Sequence, residues 1–176
     1  MIETRPELED DFPAIRELIA ATMRILTADL VELIREGDGY VPQLSRVAVN
    51  QAGEVVGYVM LNRVELVGDK TWSVLSLSPL AVTPTLQRAG IGSALVNDVL
   101  SVADELGETM VVVLGHAAYY PRFGFLPARK MGIAPPWHSQ LPDDVWMARP
   151  LANYDPEMRG VISYPSTYAT TESVPT

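Results

Sequence analysis

An α/β fold built on a mixed sheet is predicted for this 176-residue chain, and three observations predict it. Runs of β-branched and aromatic residues bounded by Gly, Asp or Asn recur at strand length. Apolar residues at i, i+3 and i+4 mark helices before and after those runs. Two glycines, Gly90 and Gly92, stand where a strand-like run gives way to a helix-like one. The order strand, helix, strand around them reads as a right-handed crossover between parallel strands.

Ile2 to Arg5 forms a short opening strand. A helix starts at Phe12, with Asp11 as its N-cap, Pro13 in its first turn and Ile15, Leu18 and Ile19 as its apolar stripe. A second helix covers Thr27 to Arg35 and stops at Gly37-Asp38-Gly39. Arg46 to Val49, a turn at Gln51-Ala52-Gly53, and Glu54 to Val67 make a hairpin. After a turn at Gly68-Asp69 the next strand runs from Trp72 to Val82; Pro79 cannot donate to a ladder, so a bulge or splay is expected there. A helix from Ile91 to Leu106 packs Ile91, Leu95, Val99, Val102 and Leu106 on one side and ends at Gly107. Thr109 to Leu114 reads as a buried parallel strand, Tyr119 to Phe123 as a short helical turn, and Val145 to Leu151 as the final strand. From Ser166 the Ser/Thr-rich tail lacks periodicity and is expected to be disordered.

Composition narrows the function. Net charge is −9, which disfavours general nucleic-acid binding, where phosphate neutralisation dominates affinity. There is no cysteine, so disulfides, thiolate metal sites and cysteine nucleophiles are excluded, and a reducing compartment suits the chain. No segment is apolar over the roughly 20 residues that span a bilayer, and the amino terminus lacks a secretory pattern. The reading is a cytoplasmic protein with no membrane and no nucleic-acid partner. Its acids are unevenly placed. None occurs from Lys70 to Asn97 or from Val111 to Leu141, and the second window holds Arg122, Arg129 and Lys130. Such windows suit a polyanionic ligand, although a buried strand followed by a glycine loop would also explain the first.

Gln87-Arg88-Ala89-Gly90-Ile91-Gly92 carries the chemistry. Glycines let a backbone approach a ligand closely, and a helix start offers unpaired N–H groups at the positive end of a dipole. Together they make an anion site suited to phosphate. A nucleoside-triphosphate P-loop fails here, because Gly90 and Gly92 are too close and no lysine follows. A dinucleotide fingerprint lacks its third glycine, since position 95 is Leu. The remaining pattern, Gln/Arg-x-x-Gly-x-Gly/Ala at Gln87, Gly90 and Gly92, resembles the acyl-CoA pyrophosphate loop of the GCN5-related N-acetyltransferase (GNAT) family. Tyr119-Tyr120-Pro121-Arg122-Phe123-Gly124-Phe125, after Leu114-Gly115-His116 and before Leu126-Pro127-Ala128, resembles that family's Tyr-x-x-x-Gly-Phe element as a bacterial subgroup of predicted acetyltransferases carries it. The resemblance covers residues 1–151, is sharp over 80–93 and 114–128, and recurs weakly over Met158 to Pro165.

The resemblance implies an α+β arrangement: a mostly antiparallel central sheet splayed between its fourth and fifth strands, with helices on both faces. It places an N-acetyltransferase domain at 1–151 and leaves 152–176 as a C-terminal extension. It implies acetyl-CoA as acyl donor with no metal, and an amine acceptor, either a small molecule or a peptide amino terminus. Homodimers are common in the family, and the residues do not derive one here. The backbone of Leu80, Ala81 and Val82 would pair with the pantetheine arm, and the groups of Gln87, Arg88, Ala89, Gly90, Ile91, Gly92 and Ser93 would take the pyrophosphate. An amine would attack the thioester, and Tyr120 would give a proton to the departing thiolate. Tyr119 and His116 would contact the cofactor; Tyr119 is also the alternative acid, and His116 an alternative base. The alternative for Tyr120 is an aromatic core residue with a satisfied hydroxyl, and for His116 a structural histidine bonded to the loop backbone.

No acid lies between Trp72 and Val82 to serve as base. Ser76 and Ser78, at period two, could hold a water, and Glu65 is another option, so the base stays unassigned. His138, after Pro135-Pro136-Trp137, reads as loop, and that loop either lines the acceptor pocket or covers the sheet. The competing function is a non-catalytic acyl-CoA-binding or sensor protein, which the same loop would serve; transfer to oxygen, or of longer acyl groups, is a third.

Overall fold

A computed structural model describes residues 1–136, 141–166 and 168. Trp137, His138 and nearly all of the tail after Ser166 lie outside the described residues. The chain order is β1 (Glu3–Pro6), α1 (Phe12–Thr22), α2 (Ile25–Arg35), β2 (Ser45–Val49), β3 (Val55–Val67), β4 (Thr71–Val82), α3 (Ile91–Glu105), β5 (Met110–Leu114), β6 (Leu126–Pro127), β7 (Ile133–Ala134), β8 (Trp146–Pro150) and β9 (Gly160–Ser163). Hydrogen-bonded neighbours run β1-β2-β3-β4-β5-β8-β6, with β9 on β3 and β7 on β9. The ladders β1–β2, β2–β3, β3–β9, β5–β8 and β6–β8 are antiparallel, while β4–β5 and β7–β9 are parallel. This is the expected mixed, mostly antiparallel sheet, with α3 in the crossover between the parallel strands β4 and β5.

The chain divides into two units, the first made of 1–62, 78–102 and 166 onward, the second of 63–77 and 103–165. In the first, β1, β2 and the start of β3 pair in register from Glu3↔Val49 to Ser45↔Met60. Ile15, Leu18 and Ile19 are buried as the spacing requires, and Ala28, Leu30, Val31 and Ile34 bury one side of α2. Successive strand residues point to opposite faces. Gly57 meets Ile91 and Leu95 of α3, whereas Tyr58 interacts with Arg35 at the end of α2, so the helices take opposite faces. In the second unit Val64, Leu66, Val74, Met110, Val112, Ala128, Ile133, Trp146, Ala148, Met158 and Ile162 form one buried cluster.

Four expectations are corrected. Asp11 occupies the N-cap position of α1 but makes no side-chain cap: its carboxylate accepts from the Leu8 N–H at 2.8 Å and from Arg5 at 2.6 and 2.9 Å, closing the turn before the helix. The second helix starts at Ile25, two residues earlier than Thr27. Leu106 is 43% exposed because α3 ends at Glu105 and Ala103 takes the inward position. The strand at β8 is not the last, since β9 follows and β6 and β7 are two-residue bridges too short to show a period.

Candidate active site

In the first unit the site begins where β4 loses its parallel neighbour. The ladder to β5 joins Leu75 to Val111 and Ser76 to Val112 and goes no further, so Leu80, Ala81 and Val82 have no β5 partner. Ala81 is buried; Leu80 and Val82 are half-buried. The Thr83 N–H donates to the Val56 carbonyl at 2.9 Å, and a 3-10 turn over Pro84–Leu86 leads into the loop. The Gln87 side-chain amide donates back to the Val82 carbonyl at 3.2 Å, and its backbone N–H closes the turn onto Pro84 at 3.5 Å. Gln87 therefore ties the loop to the strand.

From Arg88 to Ser93 the backbone turns outward. Among the described residues, none of these six N–H groups has a backbone acceptor, and the first helical bond is Ala94 N–H to Gly90 carbonyl at 2.9 Å. Arg88 has φ +63° and Gly90 φ +89°. A Cβ on Gly90 would meet nothing within 4 Å, so the backbone angle, not space, calls for glycine there. A left-handed arginine is uncommon, and such residues gather at ligand sites. Residues 84–90 are exposed, and Arg88 has no ion-pair partner among the described residues. A run of free N–H groups at a helix start with an unpaired guanidinium beside it is fitted to an anion.

In the second unit Gly115 to Phe125 makes an aromatic turn. Gly115 N–H donates to Val145 at 3.0 Å, and the His116 carbonyl receives both Tyr119 N–H at 2.9 Å and Tyr120 N–H at 3.3 Å. His116 thus holds the turn by its backbone, and its side chain is exposed. A 3-10 turn spans Tyr120–Phe123 and ends on Gly124, φ +87°. Tyr120 packs edge-on between Tyr119 at 5.1 Å and Phe125 at 5.5 Å. It is 7% exposed, and burial pushes its hydroxyl well above the ordinary phenol value. Tyr119 is half-buried, with the Arg122 guanidinium 4.8 Å from its ring centre. A side chain at Gly115 would collide with the Tyr120 ring, so this glycine is the seat of that tyrosine, a role its place in the Gly-His pair hinted at without explaining.

Two of the three cations in the second acid-free window are held locally. Arg122 donates to the carbonyls of Tyr119 and Ala118, and Arg129 lies 3.1 Å from Asp143. Of the candidate bases, Ser76 is buried and bonded to the Tyr164 hydroxyl at 3.1 Å, while Glu65 is exposed. A groove of about 400 Å³ in the second unit is lined by Asp69, Lys70, Trp72, Glu157 and Arg159, none of them an expected site residue. Among the described residues no group of three His, Asp or Glu could hold a metal, and no helix is long and apolar enough to cross a membrane.

Comparison with known proteins bears on both halves of this description. The family model for acetyltransferases (GNAT) matches residues 7–125. The uncharacterized N-acetyltransferase YhbS of Escherichia coli K12 is 37% identical over 123 residues, 69% of this chain and 71% of that protein. The uncharacterized N-acetyltransferase YjhQ of the same organism is 38% identical over 101 residues, 57% of this chain; the match spans 55% of YjhQ. The crystal structure of Escherichia coli YhbS in complex with CoA superposes with a TM-score of 0.86 at 27% identity, covering 96% of this chain and 92% of that one. A GNAT family acetyltransferase from Brucella melitensis, solved with acetyl-CoA, shares the fold with a TM-score of 0.76 at 24% identity, over 96% and 98% of the two chains.

Proposed function

Because the chain belongs to the acetyltransferase (GNAT) family, we propose that it moves an acetyl group from acetyl-CoA to an amine, a small molecule or a peptide amino terminus, by direct attack of the amine on the thioester. The observation that carries this reading is the run of free N–H groups from Arg88 to Ser93 at the start of α3. That run and Arg88 would hold the pyrophosphate, and the backbone of Leu80, Ala81 and Val82, which has no β5 partner, would hold the pantetheine amides. The absence of cysteine suits work in the reducing cytoplasm.

Tyr120 is proposed as the group that meets the departing sulfur, with Tyr119 and His116 as cofactor contacts. A hydroxyl held above the ordinary phenol value keeps its proton throughout the neutral range. An ordinary thiol titrates near about 8.5, so Tyr120 is a weaker acid than the thiol it would protonate. Its best use is as a hydrogen-bond donor to the thiolate, passing a proton on as the attacking amine gives one up. The base that takes the amine's proton has no carboxylate on β4 to fill it, which is the one feature favouring a non-catalytic acyl-CoA-binding protein.

The test titrates CoA into the wild type and into Gly92→Glu by calorimetry, then follows thiol release from acetyl-CoA with a panel of amines. Micromolar binding that the variant loses, followed by amine-dependent release, supports the proposal. A folded wild type that binds no CoA would overturn it. Binding without release across the panel would favour the sensor reading.

A further inference from the structure

We infer that Gly57, in the middle of β3, is a positioning residue for acyl-CoA binding: it sets where α3 begins, and so where the free N–H groups of the loop point. The inference rests on the loop assignment just proposed. A Cβ at Gly57 would lie 2.9 Å from Leu95 Cδ1, 3.0 Å from Ile91 Cγ2 and 3.3 Å from Ala48 Cβ. All three neighbours are buried. Leu95 has some freedom at its tip. Ile91 has little, because Cγ2 is bonded directly to a branched Cβ whose rotamer the helix fixes. Ala48 Cβ moves only with β2. A side chain at position 57 is therefore accommodated by shifting the backbone of residue 91, the first residue of α3.

The neighbouring residue fixes the other end of the same loop. The Val56 carbonyl takes the Thr83 N–H at 2.9 Å, immediately after the β4 residues proposed to pair with pantetheine. The dipeptide Val56-Gly57 thus anchors residues 83 and 91, and everything between them is the loop. Two turns further along α3, Asp98 pairs with Arg46 of β2, which also donates to the Gln43 carbonyl at 3.3 Å; this pair fixes the helix about its own axis. Backbone hydrogen bonds to an anion weaken steeply as they lose alignment, so small displacements of residue 91 matter.

Calorimetric CoA binding to four folded proteins, with melting temperatures beside it, tests this. Gly57→Ala should weaken CoA binding about tenfold or more, the size overpacking produces in a tight contact. Gly57→Ala with Ile91→Ala removes Cγ2 while keeping the residue 91 N–H, and should return to within about threefold of the Ile91→Ala single variant. A merely structural defect would lower the melting temperature without that rescue. Gly57→Ala binding as tightly as wild type, or a folded double variant as weak as Gly57→Ala, would overturn the inference. If Gly57→Ala does not fold, Asp98→Asn serves: severalfold weaker CoA binding supports the positioning frame, and unchanged affinity refutes it. Wild type that binds no CoA removes the loop assignment instead, and this inference with it.

Discussion

Both units combine ion pairs with a buried apolar core, and they differ in what lies beside their proposed site residues. The first pairs Glu7 with Arg35, Asp11 with Arg5, Arg16 with Asp29 and Glu32, and Asp98 with Arg46, and the Tyr40 hydroxyl donates to Glu7. The second pairs Arg63 with Glu108 and Arg149 with Asp104, and adds an apolar cluster around Trp146 and the edge-on ring stack of Tyr119, Tyr120, Phe123 and Phe125. The difference teaches where each kind of chemistry can be placed. With Arg5, Arg16, Arg35 and Arg46 paired, the first unit leaves Arg88 without an ion-pair partner and six N–H groups without a backbone acceptor among the described residues. A unit that excludes water can hold a phenol protonated. The proposed anion site lies in the first unit and the proposed proton donor in the second.

The sharpest way to break that contrast is Tyr120→Phe. With an amine found active in the panel, it should lower kcat about a hundredfold while CoA affinity stays near wild type. Full kcat across pH would remove the proton-donor role from the second unit. Gly115→Ala comes next, since its methyl group enters the Tyr120 ring; a loss of about 2–3 kcal/mol in denaturant unfolding, with kcat falling alongside, is expected. Trp146→Phe removes the Nε1 donor to the Ile133 carbonyl, 3.1 Å away, and part of the ring volume, and should cost about 2 kcal/mol with CoA affinity unchanged. Asp11→Asn tests the first unit's ion pairs and should cost about 1–2 kcal/mol at neutral pH. The Arg5 guanidinium holds the Asp11 carboxyl below its ordinary value of 3.8. That stability is present above the ordinary value and lost as pH falls through the folded one. The gap between wild type and Asp11→Asn should therefore close on acidification below about pH 4.

The loop was legible because its signals are local. Two glycines, a helix start and a preceding strand sit within a dozen residues, and the structure places α3 at Ile91 as the pattern requires. The strands β2 to β5 were legible for the same reason, being long enough to show their composition. What escaped was set by distant partners. Leu126–Pro127 and Ile133–Ala134 are strands only because β8 and β9 lie alongside. Glycine inside a strand signals a close approach, but nothing near Gly57 in sequence says that α3 is what approaches. The spacing to Gly124 put Tyr120 ahead of its neighbour Tyr119; what sequence did not show is that Tyr120 is the buried ring, seated against Gly115.

Neither unit is one continuous stretch of chain, and this has a consequence for how the protein forms. Asn62, 1% exposed in β3, has its side-chain amide satisfied by the Tyr168 hydroxyl, 106 residues later, and burial raises that hydroxyl to about 12. Ser76 waits 88 residues for Tyr164. Contacts of such long sequence separation cost loop-closure entropy before they return anything, and they slow folding. During synthesis the central hairpin would emerge with two polar groups awaiting partners, and the chain must emerge as far as Tyr164 before either is met. Folding should accordingly be a late and cooperative event, and fragments ending before Tyr164 should be short-lived targets for proteases.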